Sequence, residues 1–229
     1  SLTRFPDSKS LLFSNYNGLF TFNGYAFEVF TPSEQLENKT FKKLWLDKGT
    51  KIVYGYRGDD LFSVYPKFYK IGSYKAVTIQ NSKIHAINQF GQISINGKVR
   101  YKITTKHQNE KVFSQLHLIN NTYLIAQDQE LILFDTKNQS IKTVLKEEVQ
   151  SIISKNSTEV YVLTKEQVWI YNSKKQSFSK LFEYPKKNVF YNDLIQVGSK
   201  TVITSNQGLF IYDKLEKRLL HFDENNVLP

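Results

Sequence analysis

Cysteine and methionine are both absent from the 229 residues, and tryptophan occurs only twice. Without cysteine there is no disulfide framework and no thiolate metal site, which leaves the redox compartment open between cytoplasm and a bacterial envelope compartment. The missing methionine leads to the expectation that residue 1 is not a natural start and that the chain is an excised or processed piece. No apolar run approaches the roughly 18–20 residues of a membrane helix. Nor is there a basic-then-apolar leader, so any anchor or export signal is expected outside this sequence. Arginine is scarce: of 31 basic residues only Arg4, Arg57, Arg100 and Arg218 carry a guanidinium. The net charge of +10 therefore rests on scattered lysines. Arginine's fixed fork is what favours bidentate contact with phosphate or guanine, so nucleic acid is not the expected partner. The leading reading of the charge is a Lys- and Asn-rich composition on solvated strand faces, with an acidic polymer or anionic envelope surface as the alternative.

What the chain does have is aromatic residues, 17 Phe and 14 Tyr, and a repeated phrase. Alternating stretches ending in a turn residue read GLFTFN (18–23), DLFSVY (60–65), GQISIN (91–96), ELILFD (130–135), QVWIYN (167–172) and GLFIYD (208–213). The residue before each end is Phe22, Val64, Ile95, Phe134, Tyr171 or Tyr212, always aromatic or β-branched. Successive copies are 31 to 42 residues apart, about 38 on average. Each is preceded by a second apolar stretch, as in IVYGY (52–56) or VYVLT (160–164), and followed by a third, as in IKTVL (141–145). A fourth, such as FSQLHLI (113–119), lies between copies. Leu2–Phe5 is a further strand candidate, able to close a ring.

Four short strands joined by turns rich in Asn, Gly, Asp and Lys predict a four-stranded antiparallel meander. Asn and Asp suit such turns because they tolerate left-handed backbone and bond their own main chain two residues on. All five prolines fall between the strands, where no ladder donor is lost. Thr31-Pro32-Ser33-Glu34, followed by Leu36, Phe41 and Leu44, reads as a loop with one capped helical turn. Six meanders at a period near 40 predict an all-β fold, a β-propeller of about six blades, with a β-sandwich as the competing architecture. Approximate blade limits are 1–31, 40–72, 73–104, 111–146, 147–183 and 188–223, making one propeller domain or a fragment of one.

SNYNGLFTFNG (14–24) and TSNQGLFIYDKLEKRLLHF (204–222) resemble the repeats of the two-component regulator propeller family. Those repeats run strand, Thr or Ser, two variable residues, Gly-Leu, a strand ending Tyr-Asp, a charged hairpin and an aromatic strand. Asn226-Val227-Leu228-Pro229 looks like the Asn-Gly-Leu-Pro opening of a next repeat with Val for Gly. The ring is thereby implied to extend to seven blades or more. Departures are the missing tryptophan before Thr-x-x-Gly-Leu (Leu12, and Val202 or Ile203, stand there), and Glu130 and Gln167 in place of glycine. Repeat two reads as inserting Arg57-Gly58-Asp59-Asp60 where the Gly-Leu turn should be. The resemblance implies a periplasmic or otherwise extracytoplasmic propeller, often dimeric, that relays ligand occupancy across the membrane to a histidine kinase or transcription-factor module. Many members respond to polysaccharide fragments. It further implies neighbouring propeller or β-sandwich domains in the same chain, and membrane contact only through segments outside these residues.

Catalytic chemistry has little to build on. His85, His107, His117 and His221 fall in three repeats without metal-ligand spacing, so no metal and no other cofactor is expected. Phosphate-binding loops and nucleophile elbows are missing. The acidic doublets Asp59-Asp60 and Glu147-Glu148 both sit at strand ends, as solvated turn residues do. The expectation is a binding face on the loops between second and third strands and between blades. There Tyr56, Arg57, Asp59 and Asp60 offer an aromatic plate, a guanidinium and two acceptors for a sugar acid or other oligosaccharide. Tyr16 and Asn17 occupy the equivalent loop of repeat one. A non-catalytic sensor is the leading expectation, followed by an envelope scaffold propeller of secretion or surface assembly, and third a polysaccharide-active enzyme.

Overall fold

The computed structural model describes residues 2–6, 10–15, 18–23, 25–31, 40–104, 112–183, 189–206, 208–213 and 215–222. The chain divides into two compact units, Ser1–Asn109 and Glu110–Pro229. Each unit holds three four-stranded antiparallel sheets in which spatial order follows chain order, the blades of a β-propeller. In the first unit, blade one is β1 (Leu2–Arg4), β2 (Leu11–Asn15), β3 (Gly18–Phe22) and β4 (Phe27–Val29). Blade two is β5 (Lys43–Asp47), β6 (Ile52–Arg57), β7 (Asp60–Tyr65) and β8 (Tyr69–Ser73). Blade three is β9 (Ala76–Gln80), β10 (Lys83–Ile87), β11 (Gln92–Ile95) and β12 (Lys98–Lys102).

The second unit repeats the pattern. Blade four is β13 (Phe113–Ile119), β14 (Thr122–Gln127), β15 (Glu130–Asp135) and β16 (Ser140–Leu145). Blade five is β17 (Val149–Ser154), β18 (Glu159–Thr164), β19 (Gln167–Asn172) and β20 (Ser177–Glu183). Blade six is β21 (Tyr191–Val197), β22 (Lys200–Ser205), β23 (Gly208–Asp213) and β24 (Arg218–Phe222). The segment Leu2–Arg4 is the first strand of blade one, paired antiparallel with β2. No helix is found among the described residues; of the candidate helical segment, 32–39 lies outside them, Phe41 is buried and non-helical, and Leu44 is in β5.

The cores lie between blades, which explains the near-continuous apolar text of the second strands. In β18, Val160 and Val162 pack toward blade four with Leu124, Ala126 and Leu131. Their neighbours Tyr161 and Leu163 point the other way, toward Ile203 and Phe210 of blade six. A strand covered on both faces has no polar side to alternate with. In the first unit Leu12 and Leu19 of blade one meet Phe41, Leu44, Val53 and Val64. Tyr54, Tyr56 and Leu61 of blade two meet Val77 and Ala86 of blade three.

The Asp or Asn closing most of the alternating stretches is a turn cap. Asp135 Oδ1 accepts the Lys137 amide at 2.8 Å, Asn172 Oδ1 the Lys174 and Lys175 amides at 3.1 and 3.0 Å, and Asn23 Oδ1 those of Tyr25 and Ala26 at 2.9 Å. Asn96-Gly97 instead forms a two-residue hairpin loop with φ of 49° and 78°, the left-handed pair that Asn-Gly supplies most readily.

Candidate ligand-binding site

Every blade turns from its second to its third strand at the same end of the sheet, and the position opening that turn is polar in each. Asn15 pairs with Gly18, Arg57 with Asp60, Gln127 with Glu130 and Ser205 with Gly208. Arg57-Gly58-Asp59-Asp60 is therefore a hairpin of the same length as its counterparts, which corrects the expectation of an insertion. Gly58 adopts φ +57° with nothing near its missing side chain. A register shift between Val53 and Tyr54 lies in the same ladder. In other blades the opening residue holds its own turn: Thr164 Oγ1 donates to Gln167 O at 3.1 Å, and Ser205 Oγ to Gly208 O at 3.0 Å.

Two of these hairpins, in blades two and three, face a cavity of about 300 Å³ within the first unit. Asp59 lines it from blade two, Asn88, Gln89 and Phe90 from blade three, and Ser73, Tyr74 and Lys75 from the connection between the blades. Phe90 is 67% exposed, an apolar ring presented by a turn. The turn is held by Asn88, whose Oδ1 accepts the Phe90 and Gln92 amides, each at 3.0 Å, while its Nδ2 donates to Gln92 Oε1 at 2.8 Å. Gly91 follows at φ +73°.

The expected residues divide. Tyr56 is 7% exposed and its ring belongs to the core between blades two and three, so it offers no plate to solvent. Its hydroxyl lies 2.7 Å from Tyr74 O and 2.8 Å from Lys75 O, one proton shared between two carbonyls. Burial first, then the negative charges of Asp59 and Asp60, pushes the phenol's pKa up and keeps it a donor. Tyr56 thus sets the floor of the cavity through the main chain of residues 74–75. Asp59 reaches the same segment twice, by an ion pair with Lys75 and by its carbonyl, which accepts the Tyr74 amide at 2.6 Å.

Asp60 turns away from Asp59 in its partners: Lys70 Nζ lies 2.8 Å off and Ser73 Oγ donates at 2.7 Å. The Lys70 and Ser73 hydrogen bonds hold its carboxyl below the ordinary range. Arg57 is exposed, and no ion pair or hydrogen bond of its guanidinium occurs among the described residues. Tyr16 and Asn17 lie outside the described residues. The second acidic doublet is used locally, Glu147 Oε1 accepting from Gln167 Nε2 at 2.7 Å and Glu148 pairing with Lys165 at 2.5 Å. His85, His117 and His221 sit on β10, β13 and β24.

Phe90 and Lys75 are what residue-type reasoning passed over. The available signal was an aromatic residue inside a turn, between Asn88 and Gly91, where no core strand calls for one.

No family model matches the sequence and no curated protein does. Among solved structures, the chain is similar to the extracellular domain of the putative hybrid two-component system BT3049 from B. thetaiotaomicron, with TM-score 0.73 and 13% identity over 98% of this chain and 35% of that one. It is similar to the corresponding domain of BT4673 from the same organism, with TM-score 0.72 and 10% identity over 99% of this chain and 36% of the other. PorZ, described as an essential bacterial surface component of the type-IX secretion system of Porphyromonas gingivalis, aligns with TM-score 0.60 and 10% identity, covering 97% of this chain and 32% of PorZ. The chain spans about a third of the length of each. The likeness is one of fold, that of the two-component regulator propellers among others.

Proposed function

We propose that this propeller is a non-catalytic, extracytoplasmic sensor module of a two-component signalling regulator, and that the cavity between the hairpins of blades two and three takes a small carbohydrate. The observation carrying this reading is the company Phe90 keeps. An exposed ring stands beside a carboxylate–ammonium pair and the carboxamide of Gln89, around a cavity near the lower bound of small-molecule sites. A sugar presents an apolar C–H face to an aromatic ring and hydroxyls to carboxylate and amide groups. Asp59 accepts from hydroxyls while Lys75 donates, so neither charge is left unpaired when the site is empty.

Arg57 and Asp60 stand next to Asp59 on the same hairpin and are assigned to the outer part of the site, where a sugar carboxylate would meet the guanidinium. Tyr16 and Asn17 hold the equivalent sequence positions in blade one and extend the proposed set. The role is binding alone: a ligand that prefers one arrangement of this module against a neighbouring domain biases the equilibrium between them. Similarity of fold to extracellular domains of hybrid two-component systems supports placing that neighbour in the same chain.

A thermal-shift screen against acidic and neutral oligosaccharides tests the reading. A ligand at about 100-fold over its dissociation constant stabilises by roughly 2.7 kcal/mol. Phe90→Ala is expected to abolish the shift while leaving the ligand-free protein within about 0.5 kcal/mol of wild type. If no glycan shifts the melting temperature, direct sugar sensing is lost. If an acidic sugar binds and Arg57→Ala leaves its affinity intact, the outer assignment is wrong.

The fold likeness to PorZ favours a second reading, an envelope propeller that binds protein or surface glycan without signalling. A transmembrane helix and kinase encoded downstream would decide for the sensor, and a short sorting or β-sandwich domain for the scaffold.

A further inference from the structure

The outermost strands of the blades differ sharply in charge. β4 carries no lysine or arginine, and β8, β16, β20 and β24 carry one each, Lys70, Lys142, Lys180 and Arg218. Two of these are neutralised, Lys70 by Asp60 and Lys180 by Glu183. A single cation on an edge is enough to discourage edge-to-edge pairing. β12 carries three, Lys98, Arg100 and Lys102, all exposed, and none meets a carboxylate or a hydrogen-bond acceptor among the described residues. They are spread over about 13 Å of this outer strand, and the register shift that leaves Arg100 without a partner on β11 interrupts the strict alternation of faces between Lys98 and Lys102.

We infer that β12 is a docking strip for a linear acidic polysaccharide. The narrow line of charge argues for a polymer: an anionic membrane plane calls for cations spread over a face, and the other outer strands hold one or none. An acidic peptide adding as a further strand needs a regular edge, but the β11–β12 ladder is broken by a register shift between Ile93 and Ser94. Nucleic acid is disfavoured because two of the three cations are lysines, without the planar fork that reads phosphate in pairs. The strip also leads somewhere. Lys102 stands opposite Gln92, and the next residue, Ile103, donates its amide to Gly91 O at 2.9 Å. The basic line therefore ends at the hairpin that presents Phe90. A polymer lying along it arrives at the cavity rim, yet its hold on β12 does not depend on the cavity binding sugar.

The test is binding of the whole chain to polygalacturonate, with neutral dextran as the blank. Wild type is expected to bind polygalacturonate and to lose most of that affinity between about 0.05 and about 0.5 M salt, as screening of exposed charges requires. Lys98→Glu, Arg100→Glu and Lys102→Glu together should weaken it about tenfold or more, the loss of three charge pairs at a surface. Lys142→Glu, Lys174→Glu and Lys175→Glu change net charge equally elsewhere and should leave it within about twofold. If the glutamate triple fails to fold, Lys98→Gln, Arg100→Gln and Lys102→Gln carry the same test without like-charge repulsion. Phe90→Ala reports the cavity separately, since it should not touch polymer affinity for the strip. Equal losses in the two glutamate triples, absence of polygalacturonate binding, or tighter binding of poly-glutamate or duplex DNA would each overturn the inference.

Discussion

The hairpins Arg57–Asp60 and Asn88–Gln92 face one cavity and are held in opposite ways. Asn88 folds its side chain back on its own turn and fixes it with three short-range hydrogen bonds. The blade-two hairpin makes no such cap. Its carboxylates reach outward instead, Asp59 to Lys75 and Asp60 to Lys70 and Ser73, while Tyr56 beneath it clamps the inter-blade segment. One turn is a local structure that would survive transplantation. The other exists only because the next connection runs past it. That contrast suits a binding site, in which a rigid turn presents the ring and a charged loop carries groups that exchange partners.

Breaking the long-range side should cost most. Tyr56→Phe leaves two part-buried carbonyls short of a donor and is expected to destabilise the protein by about 1–2 kcal/mol, read as a lowered urea midpoint with unchanged slope. Asn88→Ala removes the local cap and should cost about 1 kcal/mol, with faster hydrogen exchange confined to the amides of residues 90–92. A uniform increase in exchange over blades two and three would instead show that this turn is not independent. The smallest effect is the pH response of Asp60. Its folded pKa is depressed, so its contribution is present above the usual carboxylate value of 3.8 and is lost as pH falls through the lower folded value. An NMR titration of the Asp60 carboxyl should show that low midpoint. Lys70→Gln should return it toward 3.8, while Asn88 and its turn stay silent across the same window.

Much of the architecture was legible as text. Alternation ending in an aromatic or β-branched residue and then an Asp or Asn marked the third strand of nearly every blade, because that Asp or Asn caps or forms the turn that follows, as Asp135 and Asn172 do. Tyr65 is the exception, followed by Pro66. Of the hairpin singled out in the sequence, Asp59 lines the cavity, whereas Tyr56, read as a surface plate, is buried. A second strand packed on both faces carries no polar alternation to say which way a residue points, and the register shift between Val53 and Tyr54 further obscures the count. Lys75 is remote from Asp59 in sequence, and nothing in a pattern of strands and turns announces that ion pair.

By itself the sequence determined the strands, their turns and the six-fold repetition, because these depend on periodicity and on turn chemistry within a few residues. Only the tertiary structure decided which side chains share a cavity. Asp59, Lys75 and Phe90 belong to three different connections, and they meet because blades two and three stack their inward faces on Tyr54, Leu61, Val77 and Ala86. Close packing between sheets allows few relative placements, and that placement rather than any local motif brings the ring beside the charged pair.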